Sequence, residues 1–168
     1  NQLVQKIHET GVPTIVVLVG GRPLSVNWIA QNVQALVQAW EPGSLGGRAL
    51  ANILAGKVNP PAKLPISIPR HSGQIQMIYN HKPSQYFHKH IDGPSTPLYP
   101  FGFGLSYTRF AYSSLKLSHT RISDKDSFTA SIELTNVGDR EGTEVVQLYI
   151  RDIYSSATRP VKELKDFA

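Results

Sequence analysis

Three histidines fall within a short stretch of the chain, at positions 81, 88 and 90. A His-x-His pair such as His88 and His90 resembles a metal-binding pattern, because imidazole nitrogen is a common ligand of zinc and related ions. The chain has no cysteine, and Asp92 is the one carboxylate that flanks the pair. The set of ligand types is too small to predict a metal site, and we expect neither a metal nor another cofactor.

Glycines raise a second chemical possibility. Gly43, Gly46 and Gly47 precede a predicted helix, where backbone N–H groups can bind a phosphate. Their spacing differs from the Gly-x-Gly-x-x-Gly of dinucleotide folds, and in residues 20–23 (GGRP) the proline removes a donor. We interpret these glycines as turns and close strand-to-helix packing. A nucleotide-binding α/β domain is the alternative, and it predicts saturable nucleotide binding.

Charge and hydropathy exclude two classes of partner. The formal net charge is +5, but the lysines and arginines are spread singly along the chain, and Glu163 separates Lys162 from Lys165. Nucleic-acid binding needs a basic patch, so it is not expected. The longest apolar stretch, residues 14–19, is far shorter than the roughly 20 residues of a membrane-spanning helix. We expect no membrane partner.

Residues 1–78 alternate between helix and strand patterns. The first residues have helical spacing that ends at Gly11, and residues 14–19 form a β-branched run typical of a strand buried on both faces. Residues 35–40 predict a second strand and residues 44–54 a helix. Residues 64–69 predict a short edge strand, because proline is tolerated there. This order favours an α/β layered (sandwich) domain.

The rest of the chain changes character twice. Residues 79–105 are rich in proline and aromatic residues, which is typical of a packed linker. Residues 106–168 contain alternating segments at 110–117, 128–134 and 145–149, a pattern that predicts an antiparallel β-sandwich. About four strands fit in this length, against about seven in a fibronectin-like domain, so we expect a partial sandwich. The first residue is not methionine, and we expect a longer parent protein.

Four segments carry a resemblance to a known family: residues 13–24 (PTIVVLVGGRPL), residues 39–65 with AWEPG and LAGKVNP, residues 98–108 (LYPFGFGLSYT), and residues 136–165 with NVG and EVVQLY. Together they are similar to the carboxy-terminal half of glycoside hydrolase family 3, the family of β-glucosidases and β-xylosidases. The third segment is the most specific. Leu45 departs from the pattern, since a glutamate usually stands there, and Glu41 stands where an aromatic residue is common.

The resemblance implies the fold and activity of the parent protein. Residues 1–78 would be the carboxy-terminal part of the α/β sandwich domain, and residues 106–168 the first part of a fibronectin type III-like domain. The parent would be a retaining, exo-acting β-glycosidase of terminal glucose or xylose. The family has its nucleophilic aspartate on an amino-terminal barrel, and its acid/base glutamate upstream of residue 1. We therefore assign no catalytic residue here and expect this chain alone to be inactive.

Substrate contacts are predicted in the linker. Sugar rings present apolar faces that stack on aromatic side chains, and the resemblance includes a Tyr-Phe pair in this region. We assign substrate binding to Tyr86, Phe87 and His88, although Gln85 and His88 replace the arginine and aspartate that normally flank the pair. The other large aromatics are interpreted as domain packing: Trp40, Tyr99, Phe101, Phe103 and Tyr107.

Another class of function is a stand-alone protein-interaction or carbohydrate-binding module. An incomplete sandwich exposes unpaired strand edges and apolar faces, which favours a homo-oligomer. The family resemblance alone implies a periplasmic or extracellular location.

Overall fold

The computed structural model describes residues 2–74, 76–83 and 93–168. Three helices and six strands follow one another in these residues: α1 (Gln2–His8), β1 (Ile15–Val19), α2 (Asn27–Asn32), β2 (Ala35–Trp40), α3 (Gly46–Leu54), β3 (Phe110–Leu117), β4 (Ala130–Asn136), β5 (Gln147–Ile150) and β6 (Glu163–Phe167). Among them, no helix is long and apolar enough to cross a membrane.

The α/β part is built on two parallel strands, β1 and β2, whose register runs from Ile15 opposite Ala35 to Val19 opposite Trp40. Both predicted strands are confirmed. The prediction that β1 is buried on both faces is wrong here, because its end residues Ile15 and Val19 are 51% and 64% exposed. In the described part of the chain β1 pairs with β2 alone, so its other edge has no strand beside it.

The crossover between β1 and β2 contains α2, which the sequence analysis did not anticipate. Six residues are too few to show a helical period. The helix is held by burial, since Val26 and Ile29 are each only 4% exposed. Together with Ile68, also 4% exposed, they are the buried apolar side chains of the described residues.

Helix α3 begins at Gly46, two residues later than predicted. It ends at Leu54, and the expected glycine stop, Gly56, follows two residues later. Gly56 has a φ of +70°, and its N–H donates to the Ile53 carbonyl at 2.8 Å. The left-handed conformation is accessible to glycine without steric conflict, so the chain turns away from the helix at this point.

The predicted edge strand at residues 64–69 is replaced by irregular pairing with the linker. The Leu64 N–H donates to the Phe103 carbonyl, the Gly102 N–H to the Leu64 carbonyl, and the Ile68 N–H to the Tyr99 carbonyl, each at 2.8 Å. Prolines at 65 and 69 lack the N–H groups that a continuous ladder would use. The linker is therefore attached to the α/β part by backbone bonds.

The β-domain consists of two antiparallel pairs, β3 with β4 and β5 with β6. Antiparallel pairing is confirmed, and the number of strands agrees with the expected four. Strand β4 runs over Ala130–Asn136, so it begins and ends two residues later than the predicted segment 128–134. Apolar side chains on β3, including Leu115 and Leu117, are exposed in this chain.

A glycine substitution tests the close approach of linker and α/β part. A Cβ added to Gly104 would overlap the backbone carbonyl oxygen of Ala62, which has little freedom to move. We expect Gly104→Ala to lower the free energy of unfolding by about 2 kcal/mol, as overpacking does. Urea unfolding followed by circular dichroism measures the change.

Gly47→Ala is the matched control. Gly47 lies in α3, and a Cβ there meets nothing within 4 Å. Alanine is the better helix former by up to about 1 kcal/mol, so this variant should be as stable as the original or more stable. Equal destabilisation by both substitutions would contradict the packing described at Gly104.

Candidate substrate-binding cavity and interdomain contacts

A cavity of about 480 Å³ lies between the linker and the β-domain. We call it the linker cavity. Its walls include Tyr79, Thr96 and Phe101 from the linker, and Arg151 and Lys162 from the β-domain. The volume is within the range of ligand pockets, which is about 300 to 1,000 Å³.

The predicted substrate residues Tyr86, Phe87 and His88 lie outside the described residues, as do His90 and Asp92. They belong to the segment that joins Pro83 to Gly93. The two stretches that line the cavity on either side of it in sequence, within residues 77–81 and 95–101, lead into this segment. Their assignment to substrate binding stays a prediction.

Stacked aromatic rings form one side of the linker cavity. The rings of Tyr79 and Phe101 are parallel within 16° at a centroid distance of 4.1 Å. Tyr149 of β5 meets both rings edge-on, at 6.2 Å from Tyr79 and 6.5 Å from Phe101. The interpretation of Phe101 as a packing residue between linker and β-domain is confirmed. Tyr99 and Phe103 also stack on each other, at 5.1 Å.

Tyr149 connects this aromatic cluster to the backbone of the linker. Burial, and then the neighbouring Tyr79, raise the pKa of the Tyr149 hydroxyl above its ordinary value, so it stays protonated and donates a hydrogen bond. The acceptor is Oε1 of Gln147 at 2.5 Å, and the Gln147 Nε2 donates in turn to the Gly102 carbonyl at 3.1 Å.

A second set of contacts fixes the β-domain on the α/β part. We call it the clasp; it consists of Asn59, Lys63, Ser106, Tyr107 and Glu144. The Lys63 Nζ lies 2.9 Å from Oε1 of Glu144, and the two side chains are only 14% and 11% exposed. The Tyr112 hydroxyl also donates to Glu144 at 3.1 Å. Burial, and then Glu144, raise the pKa of Tyr112.

Asn59 is the hydrogen-bonding centre of the clasp. Its Oδ1 accepts from the Ser106 hydroxyl at 2.9 Å and from the Tyr107 N–H at 2.8 Å. Its Nδ2 donates to the Glu141 carbonyl at 3.2 Å. The Tyr107 hydroxyl donates to the Ile53 carbonyl of α3 at 2.9 Å. One asparagine therefore joins the end of the linker to the turn before β5.

Gly43 and Gly46 act in a turn and in close packing, as interpreted, whereas a Cβ on Gly47 would meet nothing within 4 Å. A Cβ on Gly46 would lie 2.5 Å from the Cβ of Pro42, and Gly43 has a φ of +69°. Both positions favour glycine for steric reasons, so a phosphate-binding role is not needed to explain them. Across residues 2–74, 76–83 and 93–168, no cluster of histidine, aspartate and glutamate has the arrangement of a metal site.

The carboxyl ends of β1 and β2 have a feature that the sequence analysis missed. Trp40 has a φ of +54°, which is uncommon for a residue other than glycine, and it sits at a register shift in the strand pair. Glu41 follows it, with Oε1 3.0 Å from where a Cβ of Gly21 would be. The loops after the two strands meet at the edge where α/β sheets often bind ligands. The Gly20–Gly21 pair is the sequence signal for this close approach.

Comparison with known proteins decides the family. Residues 1–107 match the glycosyl hydrolase family 3 C-terminal domain. The chain belongs to glycosyl hydrolase family 3. Residues 144–168 match the fibronectin type III-like domain. The two matches agree with an α/β part followed by a fibronectin-like part, while the boundary at residue 106 stays a prediction.

Relatives of this family 3 chain match it over almost its whole length. A β-xylosidase of Formosa agariphila is 47% identical, over 99% of this chain and 23% of the relative. A periplasmic β-glucosidase of Salmonella typhimurium is 43% identical, over 98% of this chain and 23% of the relative. The solved structure of a β-glucosidase from Erythrobacter marinus superposes with a TM-score of 0.95 at 44% identity, covering 99% of this chain and 22% of that one. The chain thus spans less than a quarter of their length.

The ion pair of the clasp gives a stability prediction. Glu144→Gln leaves the largely buried Lys63 ammonium without its counter-charge, so we expect the free energy of unfolding to fall by about 2 kcal/mol or more. Lys63→Met should lower it similarly, and the double variant Lys63→Met/Glu144→Leu should lose less than the sum of the two single changes. Urea unfolding of the four proteins completes the cycle.

Glu9→Gln is the matched control for this cycle. It removes the partner of Lys6 in a pair at 2.7 Å whose side chains are 77% and 58% exposed. We expect a loss of about 0.5 kcal/mol or less, because solvent screens the pair. Strict additivity in the clasp cycle would refute a direct contribution of the ion pair.

Proposed function

We propose that the protein to which this chain belongs is a retaining, exo-acting β-glycosidase that releases terminal β-linked glucose or xylose from oligosaccharides. The observation that carries the proposal is the continuous similarity to a β-xylosidase at 47% identity and to a β-glucosidase at 43% identity. This similarity includes the linker and the β-domain, and is not limited to a common structural motif.

Retention requires two carboxyl groups about 5 to 5.5 Å apart, one as nucleophile and one as acid/base. The family resemblance assigns both to parts of the parent outside residues 1–168. Three of the carboxylates have structural partners: Glu144 is paired with Lys63, Glu133 accepts from Ser114, and Asp126 accepts from Ser123. The hydrogen bonds from Ser123 lower the pKa of Asp126, so it stays ionised and is a poor proton donor at neutral pH. We infer that the chain alone does not hydrolyse glycosides.

The role proposed for this chain is to support one side of the sugar site. The linker is bonded to the α/β part through Leu64, Ile68 and their partners, and to the β-domain through Phe101 and Gln147. These attachments hold the carboxy-terminal side of the segment that carries Tyr86, Phe87 and His88, and the Val161 N–H, which donates to the His81 carbonyl at 3.0 Å, holds its amino-terminal side. We propose that this segment contacts the substrate, and that no cofactor takes part. A periplasmic or extracellular location is proposed from the name of the Salmonella relative.

A protein-interaction or carbohydrate-binding module is the second candidate. The exposed apolar side chains of β3 favour it, because an uncovered apolar sheet face promotes association. On this reading two copies of the chain would associate through the face that carries Leu115 and Leu117.

Hydrolysis assays distinguish the two candidates. The complete gene product should hydrolyse p-nitrophenyl β-glucoside or β-xyloside, and proton NMR should detect the β-anomer as the first product. Residues 1–168 expressed alone should give no turnover above the rate of the buffer, since both carboxyl groups are absent.

Two results would overturn the proposal. Turnover by residues 1–168 alone, retained after repeated purification, would show that the catalytic carboxylates are within this chain. A complete gene product that binds glycosides without cleaving either substrate would favour the binding-module candidate.

A further inference from the structure

We infer that the linker cavity binds a sugar that carries a carboxylate, a hexuronate, through Arg151 and Lys162. This site would be additional to the proposed hydrolytic site for neutral glucose or xylose. The inference rests on the charge, the aromatic surface and the size of the cavity.

Charge is the first argument. Arg151 and Lys162 both line the cavity, and no aspartate or glutamate is among the described residues that do so. The described ion pairs involve other residues, so within the described part of the chain the Arg151 guanidinium has no carboxylate partner. Lys162 is held with Nζ 4.7 Å from the centroid of the Tyr149 ring. That contact orients the ammonium group without neutralising it. Two cations at one cavity therefore attract an anionic ligand.

The aromatic surface and the hydroxyl groups indicate what the anion is attached to. Tyr79 and Phe101 line the cavity as a stacked pair, and the apolar surface of this pair can pack against the apolar face of a pyranose ring. Ser95 and Thr96 stand on the same cavity wall and can bond to ring hydroxyls. A volume of about 480 Å³ accommodates a single sugar ring with its water. A hydroxylated ring fits this set of groups better than a bare anion does.

The arginine suits an oxyanion, and its surroundings favour a carboxylate over a phosphate. A guanidinium presents two parallel N–H groups that match the two oxygens of a carboxylate, and the pair is stronger than a neutral hydrogen bond. Phosphate sites usually combine cations with several backbone N–H groups at a turn or a helix start. No helix begins at the cavity wall in the described residues, because the helices end at Leu54. With Arg151 and Lys162 on its wall and no helix start beside it, the cavity suits the carboxylate of a hexuronate better than a phosphate.

Equilibrium binding to the complete gene product tests the inference. Isothermal titration with glucuronate should show saturable binding in the presence of excess glucose, which has the same ring without the carboxylate and fills the proposed hydrolytic site. Arg151→Gln should weaken glucuronate binding by about 10- to 100-fold, since it removes charged hydrogen bonds. Lys162→Gln should weaken it less, and neither change should alter the binding of glucose measured alone. No hydrolysis is needed for this readout, so it can fail while the proposed glycosidase activity stands.

Matched controls and competing ligands make each outcome decisive. Arg121→Gln removes the same charge from the exposed turn between β3 and β4 and should leave glucuronate affinity unchanged. Both arginines are exposed, so circular dichroism should show the same fold in all variants. Equal weakening by Arg121→Gln would reduce the effect to net charge and overturn the site. Inorganic phosphate or benzoate that binds as tightly as glucuronate would overturn the assignment to a carboxylate-bearing sugar.

Discussion

The ion pair between Lys63 and Glu144 is the contact on which the arrangement of this chain depends. It joins two positions far apart in sequence at 2.9 Å, with both side chains mostly removed from solvent. Burying two charges is unfavourable unless each finds compensating partners. Here the Tyr112 hydroxyl donates to the carboxylate and the Lys63 Nζ donates to the Gly104 carbonyl at 3.3 Å. With those partners in place, Glu144 fixes the point at which the chain enters β5.

The position of β5 determines whether the linker cavity forms. Gln147 and Tyr149 lie shortly after Glu144 in the sequence, and they contact Gly102 and Phe101 of the linker. One wall of the cavity belongs to the linker and the other to the β-domain, so the cavity exists only while the two are docked. The linker cavity therefore lies at the interface between the linker and the β-domain, and the linker residues that line it adjoin in sequence the segment predicted to contact substrate.

Local sequence patterns predicted the elements that have a clear period. The β-branched run gave β1, the alternation at 110–117 gave β3 with its observed bounds, and the apolar spacing before Gly56 gave α3. The short helix α2 has no such pattern, because its six residues are stabilised by the burial of Val26 and Ile29. Residues 64–69 pair with the linker instead of forming a strand, a choice that depends on a distant partner.

The functional surfaces were less predictable because they too depend on residues that are far apart in the sequence. The family resemblance was readable from turn and linker motifs, but the clasp joins residues about 80 positions apart, and neither Lys63 nor Glu144 stands out in its own segment. Arg151 and Lys162 likewise gain significance only because the fold brings them to one cavity. The assignment of Tyr86, Phe87 and His88 stays a prediction from resemblance.

Amide hydrogen exchange of an Asn59→Ala variant tests most directly whether the clasp holds the β-domain in place. The variant loses the bonds to Ser106, Tyr107 and Glu141, so amides of β5 and β6 should exchange about tenfold faster or more, while those of β1 and β2 keep their protection. Asn32→Ala is the control, since the Asn32 side chain bonds only to Trp28 within α2 in the described contacts. Unchanged protection of β5 and β6, or equal loss in both sheets, would contradict this account.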